Sequence, residues 1–269
     1  MSAQTRTEIT RLLEEHGLSP IRRLGQNFLA DGNVTRKIVA AAGVGRRDRV
    51  VEIGAGTGTL TSALAGAGAS VVAYEIDERL RPVLERVTAG LDVELRFADV
   101  TEVDLSEALR DGPWTMVSNL PYNVGTPVLM DALRTADAIT RFVVMVQKEV
   151  AERLIATEGS EAYGIPSVVT QIHASPELLF KVPPQVFVPA PRVESAVVAM
   201  DRKPAPDNSE RAIELAQAGF GQRRKMLRRS LSGVLTDPIA DLESVGINPS
   251  SRAEDLSPDD YIRLASVPS

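Results

Sequence analysis

Val50-Val51-Glu52-Ile53-Gly54-Ala55-Gly56-Thr57-Gly58-Thr59-Leu60-Thr61 runs from a β-branched apolar stretch, through three alternating glycines, into residues that can open a helix. Glycine at every second position makes a turn in which a ligand can touch the main chain where any Cβ would collide. A helix behind such a turn offers free N–H groups. A glycine loop alone can be a mere turn, but a strand before it and a helix after it favour a binding loop.

Outward from this loop the same alternation continues. Short apolar runs at Val50–Ile53, Ser70–Glu75, Val93–Phe97, Thr115–Asn119 and Phe142–Gln147 are each bounded by Gly, Asp or Pro and separated by helical segments. That is the pattern of a parallel sheet covered on both faces. Ser195–Met200 reads as a further strand, with Pro183–Pro191 a stiff connection before it. Lys203-Pro204-Ala205-Pro206-Asp207-Asn208-Ser209 has two prolines and no apolar period, so it reads as a linker. Past it the pattern is purely helical. The expected division is therefore 1–203, an α/β domain, and 204–269, a helical one. Ser257-Pro258-Asp259-Asp260 is a helix start, and Thr5-Arg6-Thr7-Glu8 is a capping box ahead of Ile9, Leu12 and Leu13, closed by Gly17.

The composition narrows the function classes. Of 269 residues, 43% are hydrophobic and 25% charged, which suits a folded globular chain and excludes disorder. There is no cysteine, and the only histidines are His16 and His173, which read as structural; disulfides, iron–sulfur clusters and thiolate zinc sites are excluded and no metal is expected. Arg6, Glu8, Arg11, Glu14 and Glu15 do not make a signal peptide. The long uncharged stretch Ile53–Tyr74 is interrupted by five glycines, so it reads as buried strand, loop, helix and strand rather than a membrane span. A cytoplasmic protein without a membrane partner is expected. The net charge of −6 argues mildly against nucleic acid, unless the positive charge is clustered.

Acids decide between the ligands that a glycine loop can take. A dinucleotide wants G-x-G-x-x-G with its pyrophosphate on the helix N-terminus. Here the spacing is G-x-G-x-G, and Glu52, just before Gly54, would repel phosphate yet attract a cation. S-adenosylmethionine has no phosphate and carries an ammonium and a sulfonium, so the acid favours it. Glu75, 17 residues after Gly58, stands where this fold places a carboxylate on ribose hydroxyls. Asp99, closing the next strand, can accept from an adenine amino group. Each acid alone can be a plain strand-end residue; three at successive strand ends beside a glycine loop argue for a cofactor.

Asn119-Leu120-Pro121-Tyr122 ends the fourth strand. An exocyclic amine on adenine is a poor nucleophile, and a site that methylates it needs acceptors for its N–H groups. The Asn119 side-chain oxygen and the Leu120 carbonyl fit that role, with Pro121 fixing the carbonyl's direction and Tyr122 stacking on the base.

With these residues in view, the sequence closely resembles the small-subunit rRNA adenine-N6,N6-dimethyltransferases, the KsgA or RsmA family of bacteria. The resemblance spans essentially the whole chain. It rests on Leu24-Gly25-Gln26-Asn27-Phe28-Leu29, the Glu-x-Gly-x-Gly-x-Gly loop and Asn119-Leu120-Pro121-Tyr122. Gln147-Lys148-Glu149-Val150-Ala151, Pro184 to Ser195, Arg223-Arg224-Lys225-Met226-Leu227 and Arg252-Ala253-Glu254-Asp255-Leu256-Ser257 follow in order. It implies a Rossmann-like class I methyltransferase with a mostly parallel seven-stranded sheet and a small C-terminal all-helical domain. It implies an N-terminal segment folded over S-adenosylmethionine, with Asn27 and Leu29 contacting the cofactor alongside Glu52, Gly54, Gly56, Glu75, Asp99 and Asn119. The implied substrate is a pair of neighbouring adenosines in a hairpin loop near the 3′ end of 16S rRNA, each dimethylated late in subunit assembly, within an immature small subunit. Phe187, in Pro184-x-x-Phe187-x-Pro189-x-Pro191, is expected on the second face of the base, although it can equally be a core aromatic.

Arg223, Arg224, Lys225, Arg228 and Arg229 put five basic residues in seven positions, expected on one helix with Phe220, Leu227 and Leu231 facing the core. Against an acidic background this run reads as an RNA contact, with Arg22 and Arg23 adding charge near the pocket entrance. A monomer is sufficient. Two rival readings remain: a large-subunit rRNA adenine methyltransferase of the antibiotic-resistance branch, and an assembly-checkpoint binding factor for which methylation is secondary.

Overall fold

The computed structural model describes residues 4–268, which form two compact units. The first takes the chain up to Ala151 together with Glu177–Arg202; the second takes Glu152–Pro176 and the residues from Lys203 onward.

The first unit is built on the sheet. Its strands are β1 (Phe28–Leu29), β2 (Arg49–Ile53), β3 (Ser70–Glu75), β4 (Val93–Phe97), β5 (Trp114–Asn119), β6 (Ile139–Gln147), β7 (Ala174–Val182), β8 (Phe187–Val188) and β9 (Ser195–Arg202). Seven of them form one sheet in the order β4-β3-β2-β5-β6-β9-β7, while β1 and β8 pair separately. The pairs from β4 through β6 are parallel, and β9 runs antiparallel to β6. Val50, Val51, Val71, Ala73, Met116, Val117 and Val143 are buried, as near-continuous apolar strands covered on both faces require. This is the Rossmann-like class I methyltransferase fold that the sequence implied.

Strand order reverses between β2 and β5, because the chain moves outward from β2 to β4 and then crosses to β5. Such a switch point opens a crevice at the carboxyl ends of the strands. Here β2 and β5 pair only from Arg49↔Trp114 to Val51↔Met116. Beyond that the ladder gives way to a side chain: Ser118 Oγ accepts the Ile53 N–H at 2.8 Å.

Helix Arg6–Glu15 begins at the expected capping box, with Thr5 and Glu8 reciprocally bonded, and Ile9, Leu12 and Leu13 are buried. Its Arg6 guanidinium donates to the carbonyls of Gln185 and Phe187. Gln4 ties the segment to the glycine loop, donating to the Thr57 carbonyl at 2.7 Å and accepting from the Thr59 hydroxyl at 3.0 Å.

The second unit is helical, and its extent differs from the expected boundary at 203/204. Residues 152–176, the last three of which open β7, cluster with the C-terminal helices. Helix Ile165–His173 explains this: Val168, Val169 and Ile172 are buried, and the helix packs against Ser209–Gly221 and Pro258–Ala265. Tyr163 donates its hydroxyl to the Leu256 carbonyl at 2.9 Å and sets its ring against the edge of Phe220. Pro258–Ala265 starts at Ser257, the N-cap read from the sequence, and Ser257 and Asp260 bond reciprocally there. The basic run is corrected too. It is not one helix: Ser209–Gly221 ends before it, Arg223–Lys225 form a turn, and Arg228 and Arg229 lie on a second, short helix, Leu227–Ser230. Leu227 and Leu231 are fully buried, whereas Phe220 is only half-buried.

Candidate active site

Parallel register carries the ends of β2, β3, β4 and β5 to one edge of the sheet, where a cavity of about 270 Å³ lies between the glycine loop and the Asn119–Tyr122 corner. The two corners touch. A Cβ on Gly54 would stand 3.0 Å from Pro121 Cγ, and Gly54 has φ +79°, so only glycine lets the strand end turn this close to the proline. Gly56, at φ +58°, likewise faces the Phe28 ring, which a Cβ would meet at 2.9 Å. The loop is wrapped over β3 by Gly54 and Ala55, both donating to the Tyr74 carbonyl.

Three carboxylates line the cavity, and among its lining residues there is no lysine or arginine. Glu75 is 6% exposed and accepts from the N–H of Gly56 at 2.7 Å and of Asp77 at 2.9 Å. Burial raises its pKa against the lowering effect of those two bonds. Asp99 uses Oδ1 to accept from the Thr101 hydroxyl and N–H, and the hydroxyl bond chiefly lowers its pKa. Glu52 is buried, and its Oε2 has no hydrogen-bond partner. Burial pushes its pKa up to about 8; the nearby Thr61 hydroxyl offsets part of that rise and the charge on Glu75 adds to it. Without a ligand, burial thus favours the protonated form of Glu52, which refines the expectation of a standing carboxylate there. An acid-lined, base-free cavity with an orphaned buried carboxyl does not suit a pyrophosphate. It fits a cofactor with an ammonium, a ribose and a sulfonium.

The segment expected to cover the cofactor lies along the cavity. Arg22–Leu24 form a single 3-10 turn with Arg22 and Arg23 exposed, and Leu24 to Leu29 line the cavity. Gln26 fastens this segment, accepting from the Ile21 N–H at 2.7 Å and donating to Asp77 at 2.9 Å. The Asn27 carbonyl accepts from Asn119 Nδ2 at 3.1 Å. With an N–H so used, the Asn119 amide still has Oδ1 as an acceptor. Leu120 is buried, with its N–H on the Met145 carbonyl at 3.0 Å. Tyr122 is half-buried in the wall, and its hydroxyl lies 2.5 Å from Ser195 Oγ.

Phe187 is not in the wall. It is fully buried in the core cluster with Phe28 and Leu29, and its main chain pairs with Leu29 through β1 and β8. The expectation that it faces the second side of the base is thus corrected: it fixes the covering segment from behind. Sequence reasoning also missed Ile76, which follows Glu75 and stands 45% exposed at the cavity. An isoleucine directly after the strand-end acid Glu75 was the available signal. Of the five basic residues in the C-terminal run, all are exposed, but Arg223 is taken by Glu254 at 2.6 Å and by the Glu161 carbonyl.

The model of the family described as ribosomal RNA adenine dimethylase matches residues 20–267. The chain belongs to that family. Among its relatives is the ribosomal RNA small subunit methyltransferase A of Phenylobacterium zucineum, 41% identical over 98% of this chain and 94% of the relative. The protein of the same name from Rhodospirillum rubrum is 43% identical over 96% of this chain and 91% of its own. In fold, the chain is similar to a dimethyladenosine transferase from Plasmodium falciparum, with a TM-score of 0.74 at 22% identity over 88% of this chain and 95% of that one. It is also similar to the 23S rRNA methyltransferase ErmE, with a TM-score of 0.69 at 24% identity over 89% and 98% of the two chains. The dimethylase is thus an enzyme that uses S-adenosylmethionine and has ribosomal RNA as its partner. No helix among the described residues is long and apolar enough to cross a membrane.

Proposed function

We propose that the cavity between Gly54–Gly58 and Asn119–Tyr122 is where the dimethylation occurs, with the residues acting as follows. The enzyme transfers methyl groups to N6 of two adjacent adenosines in a hairpin loop near the 3′ end of 16S rRNA, dimethylating each. It does so as a monomer in the cytoplasm, on the immature small subunit. The observation that carries this assignment of the site is the Asn119 amide, held by the Asn27 carbonyl with its oxygen left to accept, directly beside the glycine loop.

When bound, S-adenosylmethionine supplies an electrophilic methyl on a sulfonium. Glu75 holds the ribose, Asp99 accepts from the adenine amino group, Glu52 faces the cationic end, and Asn27, Leu29, Gly54 and Gly56 close around the rest. Taking the target base out of its stack costs a few kcal/mol, least for a loop base. Tyr122 receives one face of it. Asn119 Oδ1 and the Leu120 carbonyl accept the two N6 hydrogens and aim the nitrogen lone pair along the transfer line. Alignment supplies most of the acceleration. No general base is needed at the start, because the amine becomes acidic only after transfer, and none of the wall residues needs to act as one. Arg22, Arg23, Arg224, Lys225, Arg228 and Arg229 give phosphate contacts, while Arg223, already paired, gives less.

Incubation of the protein with unmethylated small subunits and labelled cofactor, followed by mass mapping of the RNA, tests this reading. Two doubly methylated neighbouring adenosines near the 3′ end are expected. Methylation of large-subunit RNA, or subunit binding without transfer, would overturn it.

A further inference from the structure

Tyr122 is anchored at both ends. Its main chain belongs to the corner after β5, while its phenol oxygen meets Ser195 Oγ at 2.5 Å on β9. β6 lies between those strands, so the ring bridges the end of β6. The topology makes this possible. Because β9 runs antiparallel to β6, its first residue pairs with Gln147 and falls at the same sheet edge as the cavity. Ser195 is itself fully buried. The preceding Glu194 accepts the Lys148 N–H at 2.9 Å and pairs with Lys148 Nζ at 3.2 Å.

From this geometry we infer that Ser195 is a positioning residue, whose hydroxyl sets the plane of the Tyr122 ring on which the target adenine stacks. The inference rests on the reading of Tyr122 as the stacking residue. Stacking needs only the ring, and a phenylalanine would supply it. The hydroxyl adds a second fixed point. A ring held only at Cβ in a half-open wall turns about two torsions, and a small tilt moves the base edge off the transfer line, to which in-line reactions are sensitive. Either hydroxyl can donate in this pair, and burial keeps the phenol protonated.

The test is a set of single-turnover rates at saturating small subunits and cofactor for Ser195→Ala, Tyr122→Phe, their double variant and Tyr122→Ala. Ser195→Ala and Tyr122→Phe should each slow transfer by about three- to ten-fold, the worth of one net hydrogen bond. The double variant should be no slower than Tyr122→Phe alone. Cofactor and subunit dissociation constants should stay at their wild-type values, which a merely destabilised fold would not allow. A wild-type rate for Ser195→Ala, or an undiminished further loss when it is added to Tyr122→Phe, would overturn the inference. If Ser195→Ala does not fold, Tyr122→Phe decides alone, and a wild-type rate there overturns it. Tyr122→Ala tests the reading beneath: a near-wild-type rate would remove Tyr122 as the stacking residue, whereas an inactive Tyr122→Ala with fully active Ser195→Ala and Tyr122→Phe would remove only the tether.

Discussion

Glu52→Gln removes an ionisation that the wall of the cavity resists. The Glu52 side chain is 1% exposed, and burial, partly offset by Thr61 and reinforced by Glu75, moves its pKa from 4.5 to about 8. The unfolded chain ionises the same group near its ordinary value. Between the two pH values the folded protein therefore holds a proton that the unfolded chain has released, and its stability must fall as pH rises. This contribution is complete below a pH of about 4.5 and gone above about 8. At about 1.4 kcal/mol per pH unit, the whole window amounts to up to about 5 kcal/mol.

Glutamine copies the shape of the protonated acid and does not titrate. Trp114, the single tryptophan, lies on β5 and is 9% exposed, so its fluorescence reports the sheet unit separately from the helical one. Urea denaturation of cofactor-free wild type and variant, followed through Trp114 at about pH 5 and about pH 8.5, gives two stability differences. Any constant packing penalty of the amide cancels between them. From the lower to the higher pH the balance should move in favour of Glu52→Gln by about 2 to 5 kcal/mol. Parallel pH profiles would refute the reasoning, because they would mean that Glu52 ionises in the fold as freely as in the unfolded chain. Saturating cofactor should shrink the wild-type loss, since a cation beside Glu52 favours its charged form.

Asn119→Ala should cut methyl transfer by at least about a hundred-fold in single turnover while only partly weakening cofactor binding, because it removes an acceptor that matters most as N6 attacks; equilibrium dialysis against labelled cofactor separates the two. Replacing Arg224, Lys225 and Arg228 together by Ala should lower the slope of log affinity for small subunits against log salt by about 2 to 3, at about 0.7 to 0.9 per lost phosphate contact. Arg223→Ala alone should change that slope less than any of these, since Arg223 already spends its charge on Glu254.

What the sequence made legible was whatever local pattern decides. The strand runs at β2 to β6 and β9, the glycine loop, the capping box at Thr5 and the helix start at Ser257 follow from period and residue type within a dozen positions. Partners chosen across the fold were not legible. Ala174–Val182 holds Pro176 and reads poorly as a strand, yet it takes the outer position beside β9. The alternation of helices and strands continues smoothly through 148–202, so nothing local says that helix Ile165–His173 buries its apolar face among C-terminal helices. Phe187 carries the same ambiguity in one residue. An aromatic in a proline-rich stretch can face a ligand or the core, and only the pairing of β8 with β1 turns it inward. Ser195 was visible as a motif end, but its contact with Tyr122 depends on an antiparallel strand laid two places away in the sheet.

The acids at the strand ends show why such a site has to be built rather than merely placed. Glu75 is tolerable inside the protein because Gly56 and Asp77 donate to it, while Asp99 is only half-buried and accepts from Thr101. Glu52 has no comparable support. Its Oε2 and the Thr61 hydroxyl are both buried without partners, and among the described residues it is the only carboxyl group in that state. A stability-driven sequence would place an apolar residue there, since the buried part of β2 is otherwise Val50, Val51 and Ile53. A charge-capable group kept in an apolar strand at a cost to the empty fold is explained if a positively charged ligand repays it on binding. A dinucleotide, with its negative pyrophosphate, would deepen that cost, whereas the ammonium and sulfonium of S-adenosylmethionine relieve it.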